Sequence, residues 1–455
     1  MNHTPTPGPA DTPPPEALVL FPLPPARATA PAPRVLADPK RGARLREAER
    51  AQLAWGPVNL DATLPADHPA RAVWAVVDQL DLSALYAQIE ARDAQAGASA
   101  IDPKVLVALW VYATSEGEGS AREIWRLTEV HAAYRWLSGG VAVGYHTLSD
   151  FRSQQTAVTD ALITQVLALL MQHALVDLSR VSQDGTRVRA SAGAASFRRE
   201  ATLEGLMAQA RAHLEAVTRE ASDPEISAWR AAARTRGALD RLARLEAALA
   251  QVPEVSATKA RRGATDAPVR VSTTDPDARV MKMGDGGFRP AYNIQFATTT
   301  DETRIIVGVT ATNRGSDQGE TTPMLAQIEQ RTGVRPTELL VDGGYPAHDA
   351  LEAAADLGVT VYAPVPKPRA GDPRDPHARR AGDSEAVAAW RGRMASAEAK
   401  TIYKARAATS ETVNADAKAH RGLDHLAVRG RDKVLGSACL FALTYDILRL
   451  IARNV

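Results

Sequence analysis

The sequence predicts an α+β fold assembled from three kinds of segment. Helical apolar spacing runs from Leu64 to Arg152, two amphipathic stretches of the same period lie between Leu203 and Leu249, and short β-type runs fill Ala291 to Ala363. At 455 residues the chain exceeds a single typical core and should hold two or three domains. Hydrophobic content of 45% and charged content of 24% are those of an ordinary soluble globular protein. A formal net charge of +1 gives no global signal for a polyanionic partner, so any such surface must be built from local clusters.

The first 39 residues hold 12 of the 29 prolines, which forbids regular hydrogen-bonded structure, and residues 1–49 are expected to form a disordered Pro-rich arm. Within it, Lys40 to Arg50 is basic and helical in flavour, as suits a surface helix or a nucleic-acid contact. Ala17-Leu-Val-Leu-Phe21 is short, lacks a basic lead-in and is followed by Pro22, so it does not read as a secretory signal. No run approaches the roughly 18 to 20 uninterrupted apolar residues of a membrane helix. The expected location is the cytoplasm.

Residues 50–175 read as helical. Val105, Leu106, Leu109, Trp110 and Ala113 fall on one stripe, and Ile124, Trp125, Leu127, Tyr134, Trp136 and Leu137 supply a second set after the Gly117-Glu-Gly119 break. Ser120-Ala-Arg-Glu123 is a capping-box pattern that starts a new helix. Helix, short glycine break, helix is the arrangement of helix-turn-helix proteins and equally of plain helical packing.

Leu203, Leu206, Ala210, Leu214 and Val217, then Leu239, Leu242, Leu245 and Leu249, predict two helices joined by the turn Ser222-Asp-Pro-Glu225. That is a helical hairpin insertion over residues 196–262, a scaffold or else a dimer or DNA-clamp element. Ala291–Ala297 and Arg304–Val309 predict a β-hairpin through Thr298–Thr303. A helix with Met324, Leu325 and Ile328, a strand at Leu339, a helix from His348 and a strand Val359–Ala363 follow. Lys367 to Asp383 is rich in Pro, Gly, Arg and Asp and is expected to be a mobile loop, where Arg374, Arg379 and Arg380 meet phosphates or solvent.

The lone Cys439 sits in the apolar run Ala438–Leu443 and should pack in the core; one cysteine permits neither an internal disulfide nor a cysteine zinc site. The ten histidines form no metal-ligand spacing.

Chemistry concentrates in Tyr403-Lys-Ala-Arg406-Ala-Ala-Thr-Ser-Glu411, continued by Lys418. Glu411 and Lys418 are seven apart, so on a regular helix they share a face about 10 Å long. A carboxylate for a metal ion and an ammonium for a phosphate suit phosphoryl transfer on nucleic acid, whereas Glu and Lys at helical spacing also describe a solvated face. Val181-Ser-Gln-Asp184-Gly and Leu339-Leu-Val-Asp342-Gly-Gly-Tyr345 each read as a short apolar strand ending in Asp-Gly, where α/β folds place ligand chemistry. The competing reading of each is a turn Asp that caps its own backbone.

Together, Asp184, Asp342 and Glu411 resemble the acidic triad of bacterial insertion-sequence transposases of the DDE class, in the group whose third acid lies in a Tyr-Arg-Glu-Lys signature. The likeness runs from about Leu64 to Val455 through the blocks Asp184-Gly-Thr-Arg-Val-Arg-Ala-Ser, Thr274-Asp-Pro-Asp-Ala-Arg279, Tyr292-Asn-Ile-Gln295, Thr312-Asn-Arg-Gly-Ser-Asp317, Asp342-Gly-Gly-Tyr345 and Arg406–Glu411. The chain departs from the pattern after Glu411, where Thr-Val-Asn-Ala-Asp-Ala-Lys418 replaces a more hydrophobic run, and Arg406 to Glu411 is one residue longer than the shortest form.

The resemblance implies a ribonuclease H-like catalytic core, begun at residues 176–195, interrupted by the insertion and completed over 263–455. It implies that the region 50–175 binds DNA, with Arg122, Arg126, Arg135 and Arg152 as basic candidates. Asp184, Asp342 and Glu411 are the implied metal ligands, and Tyr403, Arg406 and Lys418 the implied DNA contacts. An all-carboxylate site suits Mg²⁺ or Mn²⁺, two ions in a two-metal mechanism. The implied partners are terminal inverted repeats and target DNA, bound by a homodimer at the nucleoid with no membrane. The alternatives are a nuclease of the same fold that transfers no strands and a decayed transposase that only binds DNA.

Overall fold

The computed structural model describes residues 59–90, 99–221, 227–261, 263, 268–368 and 373–453. The expected N-terminal arm, the turn 222–225 and residues 369–372 of the predicted loop lie outside the described residues.

Seven helices open the fold: α1 (Pro69–Asp78), α2 (Ser83–Tyr86), α3 (Pro103–Ser115), α4 (Ala121–Val130), α5 (Ala132–Ser138), α6 (Tyr145–Gln154) and α7 (Thr156–Gln172). Their ends follow local chemistry. Asp102 accepts from the Lys104 N–H (2.9 Å) ahead of Pro103, and left-handed Gly117 stops α3 while the Glu118 N–H closes onto the Ala113 carbonyl (2.8 Å). Ser120 caps α4 by accepting from the Glu123 N–H (3.3 Å). The reciprocal half of the capping box is replaced: the Ser120 N–H donates to Glu118 Oε1 (2.5 Å).

The chain then runs through β1 (Arg180–Arg189), β2 (Phe197–Arg198), α8 (Glu200–Glu220), α9 (Ala228–Ala250), α10 (Val252–Arg261), β3 (Val271–Ser272), β4 (Arg279–Lys282), β5 (Phe288–Thr299) and β6 (Ile306–Thr312). It ends with α11 (Thr321–Thr332), β7 (Glu338–Leu340), α12 (His348–Asp356), β8 (Thr360–Tyr362), α13 (Glu385–Ala395), α14 (Ala397–Ala415), a π-helical turn (Asp416–His420) and α15 (Arg431–Ala452).

The main sheet has the order β4-β5-β1-β7-β8. β1 runs antiparallel to β5 and parallel to β7, and β7 runs parallel to β8. On its other edge β5 pairs first with β4, over Phe288–Ala291, and then with β6, over Asn293–Thr298. The predicted hairpin, helices and strands of this region are therefore all present. α11 covers one face, where Met324 packs at Gly308 and Gln327 hydrogen-bonds both backbone groups of Val309. α14 and α15 cover the other.

The insertion holds three helices, not the two that its leucine spacing predicts, because α10 follows α9 after a single residue. Leu203, Met207, Ala210, Leu245, Ala248, Val252 and Val271 form a core separate from the main one. Leu239 is 48% exposed, and Ala238 takes the buried place beside it. β2 pairs with β3, so the two ends of the insertion are joined by a short ladder.

α15 sets the architecture. One side packs on α7, α3, α6 and α1, the other on β6 and β5. Phe441 meets Phe296 edge-on at 5.2 Å, and the fully buried Asp446 accepts from the Ile306 N–H (3.0 Å). Burial raises the Asp446 carboxyl well above the ordinary range, as a proton in place of an unpaired buried charge requires. Cys439 is buried as expected, with Sγ 3.7 Å from Asp160 Oδ1. One expectation is corrected by this packing. α3 is buried from Val105 to Thr114 on every side and not on one stripe, because α1, α5 and α15 surround it. Among the described residues α15 is long and apolar enough to cross a membrane, yet 72% of its apolar window is buried inside the fold.

Gly436 marks the closest approach in this packing. A Cβ there would lie 2.5 Å from Thr156 Oγ1 and 3.2 Å from the Arg152 carbonyl oxygen, which is backbone and cannot rotate away. Gly436→Ala should therefore destabilise the fold by about 1–3 kcal/mol through overpacking. A chemical-denaturation midpoint equal to that of the unchanged protein would contradict this contact.

Candidate active site

Asp184 lies in the middle of β1, with five strand residues after it, and not at a strand end as predicted. The ladder to β5 continues through Arg189, which carries the strand past the Asp-Gly pair. Gly185 is required there by crowding: a Cβ would lie 2.5 Å from Gln295 Nε2 and 2.7 Å from Asn293 Oδ1, and against Asp317 Oδ1.

The Asp184 side chain is 16% exposed. Its Oδ1 accepts from Arg406 Nη2 (2.9 Å) and from the Gly185 N–H (3.0 Å), and its Oδ2 accepts from Asn414 Nδ2 (3.1 Å). Burial pushes its carboxyl up to about 6; Arg406 opposes the shift, and Asp342 and Asp317 add to it.

Asp342 follows β7, the strand parallel to β1, so the two acids reach the same space from neighbouring strands. Its Oδ1 accepts from the Gly344 N–H (2.7 Å), the local capping that a turn Asp makes, while its Oδ2 stands 3.9 Å from Arg406 Nη2. One guanidinium thus bridges both acids. Tyr403, one turn earlier on α14, hydrogen-bonds Arg406, and burial raises its phenol.

α14 is seated on β1 by the Ser182–Ser410 hydroxyl pair (2.6 Å), and Arg406, Ser410 and Asn414 follow one another at four-residue spacing on that face. Glu411 is one residue round from Ser410 and is exposed. The expected gathering of three acids is not met. Among the described residues no three His, Cys, Asp or Glu side chains are placed to hold a metal ion. Two physical causes account for it: Arg406 stands between Asp184 and Asp342, and the phase of α14 turns Glu411 outward.

The shared face of Glu411 and Lys418 is also corrected. The α-helix ends at Ala415, and Lys418 lies in the π-helical turn, where the seven-residue phase no longer holds. Lys418 is half-buried, and desolvation lowers its ammonium pKa against the pull of Asp424 and Asp184.

The donor set of this site is oxygen throughout. A mostly buried carboxylate and a half-exposed one that share a guanidinium are chemically suited to a hard divalent cation in the same place. With Arg406 displaced and Glu411 turned inward, Asp184, Asp342 and Glu411 could hold one.

Asn414, Ser410 and the Asp317 group were missed from sequence. Tyr292–Gln295 and Thr312–Asp317 stood out as blocks without a role, and nothing in spacing alone ties them to Asp184. Among the basic candidates, Arg152 is half-buried and engaged within the fold. Its guanidinium lies 4.8 Å over the Trp110 ring and donates to the Gly119 carbonyl, with desolvation lowering its pKa. Arg126 pairs with Glu123 (2.5 Å), Arg122 lies 5.2 Å over Tyr145, and Arg379 pairs with Glu385 (3.0 Å).

The raised Asp184 carboxyl makes a stability prediction. A group whose folded pKa is raised stabilises most below its unfolded value, near 4, and loses that contribution as pH rises through about 6. Asp184→Asn mimics the protonated form, so above pH 7 it should be more stable than the unchanged protein by up to about 3 kcal/mol. The difference should shrink towards zero below about pH 4. A difference that stays constant across this range in thermal or urea melts would show that Asp184 ionises without penalty.

Two families match this chain. Residues 58–154 match the family described as Transposase domain (DUF772), and residues 260–447 match the family described as Transposase DDE domain. The second match contains Asp342, Arg406, Glu411 and Lys418, whereas Asp184 lies between the two. No curated protein and no solved structure matches the chain. In order on one chain, the two matched segments indicate an insertion-sequence transposase of the DDE class.

Proposed function

We propose that the protein binds the ends of its insertion sequence and carries out metal-dependent strand cleavage and strand transfer at Asp184, Asp342 and Glu411. The observation that carries this reading is the pair Asp184 and Asp342, delivered by adjacent parallel strands to the same guanidinium nitrogen, Arg406 Nη2. The strand order β6-β5-β1-β7-β8, with β5 alone running against its neighbours, supports a ribonuclease H-like core for residues 176–195 and 263–455, with 196–262 inserted.

Asp184 and Asp342 would hold Mg²⁺ or Mn²⁺, with Glu411 as third ligand. When bound, such ions would neutralise phosphate charge and activate the attacking hydroxyl. The chain's own side chains supply the rest. Arg406 leaves the acids and takes a DNA phosphate, so the guanidinium that now neutralises the site becomes a contact for its substrate. Lys418, half-buried near Asp184, and Tyr403, beside Arg406 on α14, would hold the same backbone. Asn414 keeps the Asp184 carboxylate oriented through Oδ2.

A path for the DNA is supported by a cleft of about 680 Å³ between α10 and the sheet edge, rimmed by Lys259, Arg261, Arg270, Arg279 and Arg314. It opens beside the loop 313–317, which returns to the acids. The helical region 50–175 is proposed as the binder of terminal repeats, and the working form as a homodimer on DNA in the cytoplasm. The outward Glu411 is the one observation that favours a catalytically silent DNA-binding protein, and the same experiment separates the two.

Asp184→Asn, Asp342→Asn and Glu411→Gln should each reduce cleavage of element-end DNA by about 10³ or more, with little change in gel-shift affinity. Unchanged protein should cleave with Mg²⁺ or Mn²⁺ and stop in EDTA. Full activity in EDTA, or cleavage surviving in all three variants, would overturn the proposal. Arg270→Glu combined with Arg314→Glu should weaken DNA binding and lower its log-log salt slope by about two contacts. An unchanged slope would move the DNA path elsewhere.

A further inference from the structure

On the face of β1 away from α14, a chain of buried polar side chains joins the two acid-bearing segments. The Tyr345 hydroxyl, three residues after Asp342 and 1% exposed, donates to Gln295 Oε1. Gln295 Nε2 donates in turn to Asp317 Oδ1 (2.7 Å), and Asn293 Nδ2 donates to the same oxygen (2.6 Å). Arg187 Nη2 stands 4.0 Å from Asp317 Oδ2 and donates to the Gly315 carbonyl (3.0 Å) in the loop that carries Asp317.

Asp317 lies against both Asp-Gly segments. The Gly185 Cβ position is filled by Asp317 and its two amide partners, and the Gly344 Cβ position lies 3.0 Å from Asp342 Oδ1 and 3.5 Å from Asp317 Oδ2. Both Asp-Gly segments are therefore shaped around this third carboxylate.

Stability alone does not account for such a group. A buried charge with amide partners is often matched or bettered by apolar packing of the same volume. The cluster also leaves two buried acceptors without partners, Asn293 Oδ1 and Gln183 Oε1, which ordinarily costs about 1–3 kcal/mol each. What the cluster does provide is a link: Tyr345 ties the Asp342 turn to β5, and Asp317 joins β5, through Asn293 and Gln295, to Arg187 of β1.

We propose that Asp317, held by Asn293 and Gln295 and joined through Gln295 to Tyr345, is a positioning residue that fixes the separation of Asp184 and Asp342 for cation binding. This rests on the proposed reading of those two acids as a metal-holding pair. Asp317 itself touches neither cation nor DNA in this role; it acts through the strand at Gly185 and the turn at Gly344.

The test uses the full chain with Tyr345→Phe, Gln295→Leu and Asp317→Asn. Mn²⁺ binding is followed by electron paramagnetic resonance without DNA, alongside melting temperature and the Mg²⁺ dependence of end cleavage. Tyr345→Phe removes one oxygen and keeps the ring, so it remains informative if Asp317→Asn fails to fold. Folded variants should bind Mn²⁺ about tenfold or more weakly, the range seen when a supporting hydrogen bond behind a metal ligand is lost. Half-maximal cleavage should move to higher Mg²⁺ by a similar factor, and DNA-end affinity should stay unchanged. A merely structural role would lower the melting temperature and leave the Mn²⁺ affinity of the folded protein unchanged, and that result in Tyr345→Phe and Gln295→Leu overturns the inference. If unchanged protein binds Mn²⁺ and cleaves DNA while these variants match it, the acid pair stands and the positioning role falls. If unchanged protein binds no Mn²⁺, both fall together.

Discussion

A carboxylate held mostly out of water on the central strand of a sheet is the constraint to which the rest of the site answers. Asp184 would ionise at a heavy desolvation cost unless positive charge and donors met it, and the fold brings Arg406, Asn414 and the Gly185 N–H to its two oxygens. That demand fixes α14 against β1, with Ser182 and Ser410 closing the seam. It also brings Asp342 under the same guanidinium, since β7 is the parallel neighbour of β1. Removing Arg406 would take the nearest counter-charge from both carboxylates, a state that a bound cation or a proton relieves.

How much of this is legible in the sequence differs by kind of information. Patterns that repeat along the chain are readable: the β5–β6 hairpin, the strands at Leu339 and Val361, the helix start at Ser120 and the buried Cys439 all follow from spacing and local capping. Facts that depend on pairing across the fold are not. The contact of Asp184 with Arg406 spans 222 positions, and no periodicity reports it. Arg152 looks like a surface cation until Trp110 and Gly119 are seen to enclose it. Counting by 3.6 places Glu411 and Lys418 together, and it fails because the helix widens to a π turn at Asp416. The Asp-Gly motif reads as a turn because glycine is the usual signal for one, whereas here glycine stands in an extended strand to make room for Asp317. The acids were visible from sequence; their neighbours were not.

The two core systems divide the molecule unevenly. The insertion keeps its own apolar cluster and is tied at its ends by the β2–β3 ladder, so its helices contribute nothing to the main core beyond that stem. The main core, by contrast, runs without interruption from α1 to the sheet, because α15 is shared between them.

That sharing has a consequence for the order in which the protein can be made. α15 is synthesised after every other described element, yet α3 and α7 need it to cover their apolar sides. While a ribosome is still translating the sheet, the first seven helices have a core with one wall missing, the wall that α15 supplies to α3, α6 and α7. They wait incompletely covered while the chain grows from Gln172, the end of α7, to Arg431, the start of α15. A premature stop anywhere before Arg431 would therefore ruin the earliest part of the chain along with the latest, and no truncated helical fragment would persist to compete for whatever the complete protein binds.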